Sequence, residues 1–129
     1  MRSASGGYSM TVDVFAERLV RVRDRFVSNV EGKIEDVRAA IPNLLDTVPA
    51  AAASIGDVYR SVHSIVGVGR TIGFPAIGCA ARHVEDALRP AYCDGRGLTA
   101  DEISLLTNSL NALREAASRE LQSFHSVGE

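Results

Sequence analysis

The chain has no tryptophan, and Phe and Tyr together make up only 5% of its 129 residues. Strands of sandwiches and barrels draw heavily on aromatic side chains, so this poverty argues against an all-β fold. There are only two cysteines, Cys79 and Cys93. They form neither a C-x-x-C pair nor a disulfide framework, which argues against a stapled secreted scaffold, fits a reducing cytosol and reads both as structural thiols. Neither sign of charge dominates: 14 basic residues are interspersed with 16 acidic ones for a formal net charge of -2. Without a basic stripe or a polybasic segment, nothing points to nucleic acid or to an anionic membrane as a partner. No run approaches the roughly 20 apolar residues of a membrane span. Met1–Met10 lacks the apolar core of a signal peptide and reads as a flexible N-terminal tail or a leader, so a cytoplasmic protein is expected. Ser/His/Asp signatures, a P-loop and a dinucleotide fingerprint are missing, and Asp57, Glu85 and Asp86 show no pairing that demands acid and base chemistry.

What is present is helical periodicity. The apolar fraction is 46%, rich in Ala, Leu, Val and Ile, in a chain long enough for one domain with its own core. Phe15, Leu19, Val22, Phe26, Val30, Ile34, Val37 and Ile41 recur every third or fourth residue and predict a first helix over Val12–Ile41, ended by Pro42-Asn43. Asp46-Thr47 offers an N-cap, with Pro49 tolerated in a first turn, so a second helix is expected from near Val48 to Gly73. Gly73 suits a left-handed C′ position, and Pro75 opens a third helix that presents Ile77, Ala81, Val84 and Leu88 inward. That helix should end at about Ala91, stopped by Pro90 and the Asp94-Gly95-Arg96-Gly97 run. Thr99-Ala-Asp-Glu102 has capping-box spacing, and Ile103, Leu106, Leu110, Leu113, Ala117, Leu121 and Phe124 supply a fourth seam. Four amphipathic helices with short connections imply an all-α antiparallel four-helix bundle over residues 11–126.

The second helix carries the residue of greatest chemical interest. At about 100° per residue, Ile55, Val58, Val62, Ile65, Gly69 and Ile72 share one stripe, and His63 lies roughly 130° from its centre together with Tyr59, Arg60, Gly67 and Arg70. The imidazole therefore points outward or to a rim. Tyr59, Val66 and Phe74 fall on the same side, either as rim residues of the bundle or as an apolar docking patch. Cys79 and His83 stand four apart on the third helix, but two ligands without a convergent second pair do not make a metal site. His125 sits near the C-terminus, where a solvated side chain is expected.

From His63 to Glu85 the sequence resembles histidine-containing phosphotransfer domains, whose pattern is His-x-x-Lys-Gly, a glycine six residues on and a glutamate twelve further; His63, Gly67, Gly73 and Glu85 keep that register. The resemblance implies a four-helix bundle in which His63 accepts a phosphoryl group from a receiver-domain aspartyl phosphate and passes it to another receiver, with a hybrid histidine kinase upstream. It implies a carrier more than an enzyme, with the receiver supplying the Mg²⁺ site and this chain holding no metal or cofactor. A neutral imidazole nitrogen is a competent nucleophile near neutral pH, whereas imidazolium has no lone pair to offer. Gly67 then leaves room for a receiver to descend onto the ring, Gly73 meets a backbone requirement, and Glu85 belongs to the structural part of the signature.

One position departs from the family pattern. Val66 stands where the family carries a lysine able to offset phosphoryl charge, and Arg70, about 20° from His63 around the helix, or Arg60, about 60° away, is expected to supply that charge instead. Two other readings compete: a phosphorylation-deficient adaptor or inhibitor that docks on a kinase or receiver, and a purely structural helical bundle.

Overall fold

A computed structural model describes residues 2–128, with side chains over 13–124. It is all-helical: α1 (Arg2–Ala40) runs into a 3₁₀ turn (Ile41–Asn43) and is followed by α2 (Ala51–Thr71), α3 (Pro75–Asp94) and α4 (Ala100–Gly128). Among the described residues there is no strand, only an isolated bridge between Leu45 and Leu98. Successive helices are antiparallel. In the α2–α3 pair His63 meets Glu85 and the Arg70 stem lies against Gly78, while Ile77 meets Glu120 between α3 and α4 and Arg38 meets Asn111 between α1 and α4.

The core follows the sequence periodicity. Ile55, Val62, Ile65, Ile77, Ala81, Val84, Leu88, Leu106, Leu110 and Leu113 are all essentially inaccessible, and Val30, Ile34 and Val37 close the α1 side. Phe74 stacks on Phe26 and meets Phe124 edge-on, each with ring centroids 5.6 Å apart, joining three helices at one end of the bundle. At this end Gly73 takes φ +96° and the Phe74 amide donates to the Gly69 carbonyl at 2.8 Å, the closing bond of a glycine C-cap.

Several expected boundaries differ. α1 begins at Arg2, ten residues before Val12 and within the expected tail; once a helix is nucleated, each added residue gains a backbone bond without a new nucleation cost. Its apolar stripe also outruns the bundle, leaving Phe15 64%, Leu19 41% and Val22 42% exposed. α2 starts at Ala51 with no side-chain cap, because Asp46 directs its carboxylate to the Gly97 amide at 2.9 Å instead. Pro90 lies inside α3 and does not end it. It is exposed, so the carbonyl it leaves without a partner faces water, while Leu88 and Ala91 on the buried face carry the helix on to Gly95, whose φ of +66° closes it. The capping box forms as expected: the Glu102 amide donates to Thr99 Oγ1 at 3.2 Å and the Thr99 amide to Glu102 Oε1 at 2.9 Å. His125 lies outside the residues whose side chains are described.

Candidate functional site

Two facing stripes frame the site, Tyr59–His63–Gly67–Arg70 on α2 and Gly78–Arg82–Glu85–Arg89–Tyr92 on α3. His63 sits midway along α2 with its side chain 69% exposed, as the angular arithmetic requires. Its ring is not free to turn, because Nδ1 lies 2.5 Å from Glu85 Oε2. Glu85 is the one buried charged residue among those described, 4% exposed. Its other oxygen accepts from Arg89 at 3.0 Å. A carboxylate that already accepts from a guanidinium acts as acceptor toward the ring as well, so Nδ1 is the ring nitrogen that donates to Glu85, and Nε2 lies on the far side of the imidazole, toward solvent.

Glu85 therefore has a larger part than the structural one expected from its place in the signature, since it orients the imidazole directly. The surrounding charges are arranged around it. Arg89 also donates to Asp86 at 2.6 Å, and the Tyr59 hydroxyl, with Asp86, pushes the Arg89 guanidinium above its ordinary value. Tyr59 is half-buried; its ring stacks on Tyr92 at 4.0 Å and lies 6.2 Å from, and nearly parallel to, His63. The result is an aromatic ledge on one side of the histidine.

On the other side Gly67 opens the surface. It is exposed, and a Cβ added there would meet nothing within 4 Å beyond the backbone of its own helix turn. Beyond it a groove of about 250 Å³ runs between α1 and α2 past Ser64 and Val68, floored by Phe26 and Val30 and flanked by Arg25 and Lys33.

Two residues expected on the docking face are elsewhere. Val66 is 8% exposed and Phe74 3%, both in the core. Val66 turns toward α3, a second buried flank that the single apolar stripe of α2 does not reveal, and Phe74 lies past the end of the helix, where helical angles no longer apply. Neither offers a surface to a partner. Of the two arginines expected to meet phosphoryl charge, Arg60 is drawn to Asp57 at 2.7 Å. Arg70 is exposed, and its stem crosses Gly78, where any side chain would collide with it. Sequence reading missed Arg89, Tyr92 and the α1 groove. The Glu85–Arg89 spacing of four was a visible signal; the other two depend on how the helices are set against one another.

Among the described residues no helix is long and apolar enough to cross a membrane, and no three His, Cys, Asp or Glu side chains converge to hold a metal ion. Comparison with curated proteins and with solved structures gives no match. The family model described as Hpt domain matches residues 21–116. Domains of this kind carry phosphoryl groups on histidine in phosphorelays, act as carriers rather than catalysts and generally interact with receiver domains. Because the match covers well over half of the sequence and runs through every helix that frames His63, the chain belongs to the Hpt domain family.

Proposed function

We propose that His63 is the phosphoacceptor of this carrier, taking a phosphoryl group from the aspartyl phosphate of one receiver domain and passing it to another in a cytoplasmic relay fed by a hybrid histidine kinase. The observation that carries the reading is the exposed imidazole with Nδ1 held by buried Glu85, which leaves Nε2 directed outward. In the forward step the Nε2 lone pair attacks phosphorus, the N–P bond forms and the P–O bond of the acyl phosphate breaks, and the receiver carboxylate leaves with the electron pair. The imidazole becomes cationic as it is phosphorylated, and Glu85 offsets that charge through the proton on Nδ1. The receiver docks over Gly67, with Tyr59 and the α1–α2 groove on either side; Arg70 flanks this surface as a cation, whereas Asp57 already engages Arg60.

The test is intact mass and acid lability of the protein after exposure to phosphoramidate and, separately, to a phosphorylated receiver domain. The expected result is one acid-labile, base-stable phosphoryl adduct that is lost in His63→Gln. An adduct that persists in the variant would assign the chemistry to another residue.

Val66, an apolar residue packed in the core where the family carries lysine, favours a second reading: an adaptor or inhibitor that docks on a receiver or kinase without being phosphorylated. Such a protein takes no adduct from either donor, keeps its receiver affinity in His63→Ala and loses it in Gly67→Trp. A purely structural bundle is insensitive to both substitutions.

A further inference from the structure

We infer that Arg82, on α3, supplies the phosphoryl-binding cation that position 66 does not; the inference rests on His63 being the phosphoacceptor. The argument is one of register. Three contacts tie α2 to α3 in a constant antiparallel alignment: Tyr59 beside Arg89, His63 on Glu85 and the Arg70 stem on Gly78. The same alignment sets Val66 level with Arg82. Arg82 also belongs to the α3 stripe that faces this seam, since Gly78, Arg82, Glu85 and Arg89 follow one another at steps of four, three and four residues. Where a lysine at position 66 would rise from α2, an arginine rises from the opposite wall of the same seam.

Competition among the cations points the same way. Arg60 is paired with Asp57, and Arg89 with both Glu85 and Asp86. Arg82 is exposed and forms no ion pair or hydrogen bond among the described residues, so its charge is uncommitted. Arg70 is likewise without an ion pair but lies about 10 Å along the helix axis from His63, against about 4.5 Å for the level of Arg82. A guanidinium presents paired N–H donors that match two phosphoryl oxygens, and it keeps its charge throughout the cytosolic pH range. In the transfer step it would hold those oxygens as the N–P bond forms on Nε2; no proton moves to or from it.

Phosphoramidate is the donor of choice for the test, because it removes receiver docking from the measurement. Initial rates of adduct formation are compared for wild type, Arg82→Ala, Arg82→Lys, Arg70→Ala, His63→Gln and the double variant V66K/R82A, with circular dichroism to verify the fold. The expected result is a loss of at least about tenfold in Arg82→Ala, a smaller loss in Arg82→Lys and in Arg70→Ala, and recovery when V66K is added to Arg82→Ala. A wild-type rate in correctly folded Arg82→Ala would overturn the inference while leaving His63 in its role. If wild type forms no adduct that His63→Gln abolishes, the relay reading fails and Arg82 loses its function with it.

Discussion

An imidazole that must act as a nucleophile has two nitrogens to offer, and His63 has one of them committed. The 2.5 Å contact with Glu85 holds Nδ1 and the tilt of the ring together, so in the proposed phosphoacceptor role Nε2 is the nitrogen presented to a donor. Arg89 completes the arrangement by satisfying the second carboxylate oxygen, without which burial of Glu85 would be costly. Glu85→Ala should slow phosphorylation of His63 by roughly 10- to 100-fold through misplacement of the ring. Glu85→Gln keeps an acceptor oxygen but not the negative charge, and should fall between Ala and wild type. Rates with phosphoramidate measure both, and an Ala variant as fast as wild type would remove Glu85 from the mechanism. The outward placement of His63 was legible from spacing alone, and Glu85 was legible as part of a signature. Its contact with His63 was not, because 22 positions separate the two residues and only the packing of α3 on α2 brings them together.

At the level of the helix, termini decide most of what the sequence could and could not show. The Thr99–Glu102 box was readable because both halves of the motif lie within one turn. The structure adds Arg96, whose guanidinium forks onto Glu102 at 2.7 and 3.1 Å. With Arg96 first and the Thr99 amide next, these bonds hold the Glu102 carboxyl down from 4.5 to about 2. Since the folded value lies below the unfolded one, the contribution of Glu102 to stability is fully present above about pH 4.5 and is lost as pH falls toward about 2. Urea midpoints measured across that interval should drop more steeply for wild type than for Glu102→Gln; parallel curves would show that the pair contributes nothing. The start of α3 follows a different rule. Phe74 provides no side-chain cap there, and Glu120 of α4 accepts from the Ala76 and Ile77 amides at 3.0 and 2.9 Å in its place. An anionic side chain at a helix N-terminus is favourable whichever element provides it, so no local motif betrays this cap. Asp46 shows the converse, a good local cap signal diverted to a distant amide.

Across the whole molecule, the two connections at the end of the bundle away from Phe74 are bound to each other. The Asp46 amide donates to the Leu98 carbonyl at 2.9 Å, and the Leu98 amide to the Leu44 carbonyl at 2.7 Å. Gly97 permits this approach: a Cβ there would fall 2.6 Å from Asp46 Cα and 2.8 Å from the Leu44 carbonyl oxygen, both backbone atoms with little freedom to retreat. Gly97→Ala should therefore destabilise the fold by about 1–3 kcal/mol in urea titrations, whereas Gly67→Ala, on an open helical surface, should gain up to about 1 kcal/mol from helix propensity. Equal stability for the two variants would refute the close-approach argument. At the opposite end α1 extends past its neighbours, which is why a stripe with unbroken periodicity is buried only from Phe26 onward.

Apolar spacing by itself determined that four helices form, which face of each is inward and that His63 looks out, because those properties depend on neighbours three and four residues apart. The family signature likewise lies within one stretch of chain, from His63 to Glu85. What only the tertiary structure decided is which residues meet across helices: Glu85 on His63, Tyr59 on Tyr92, Glu120 at the head of α3, and Val66 and Phe74 drawn inward. Each depends on the relative register of two helices, a property no single helix carries in its own periodicity.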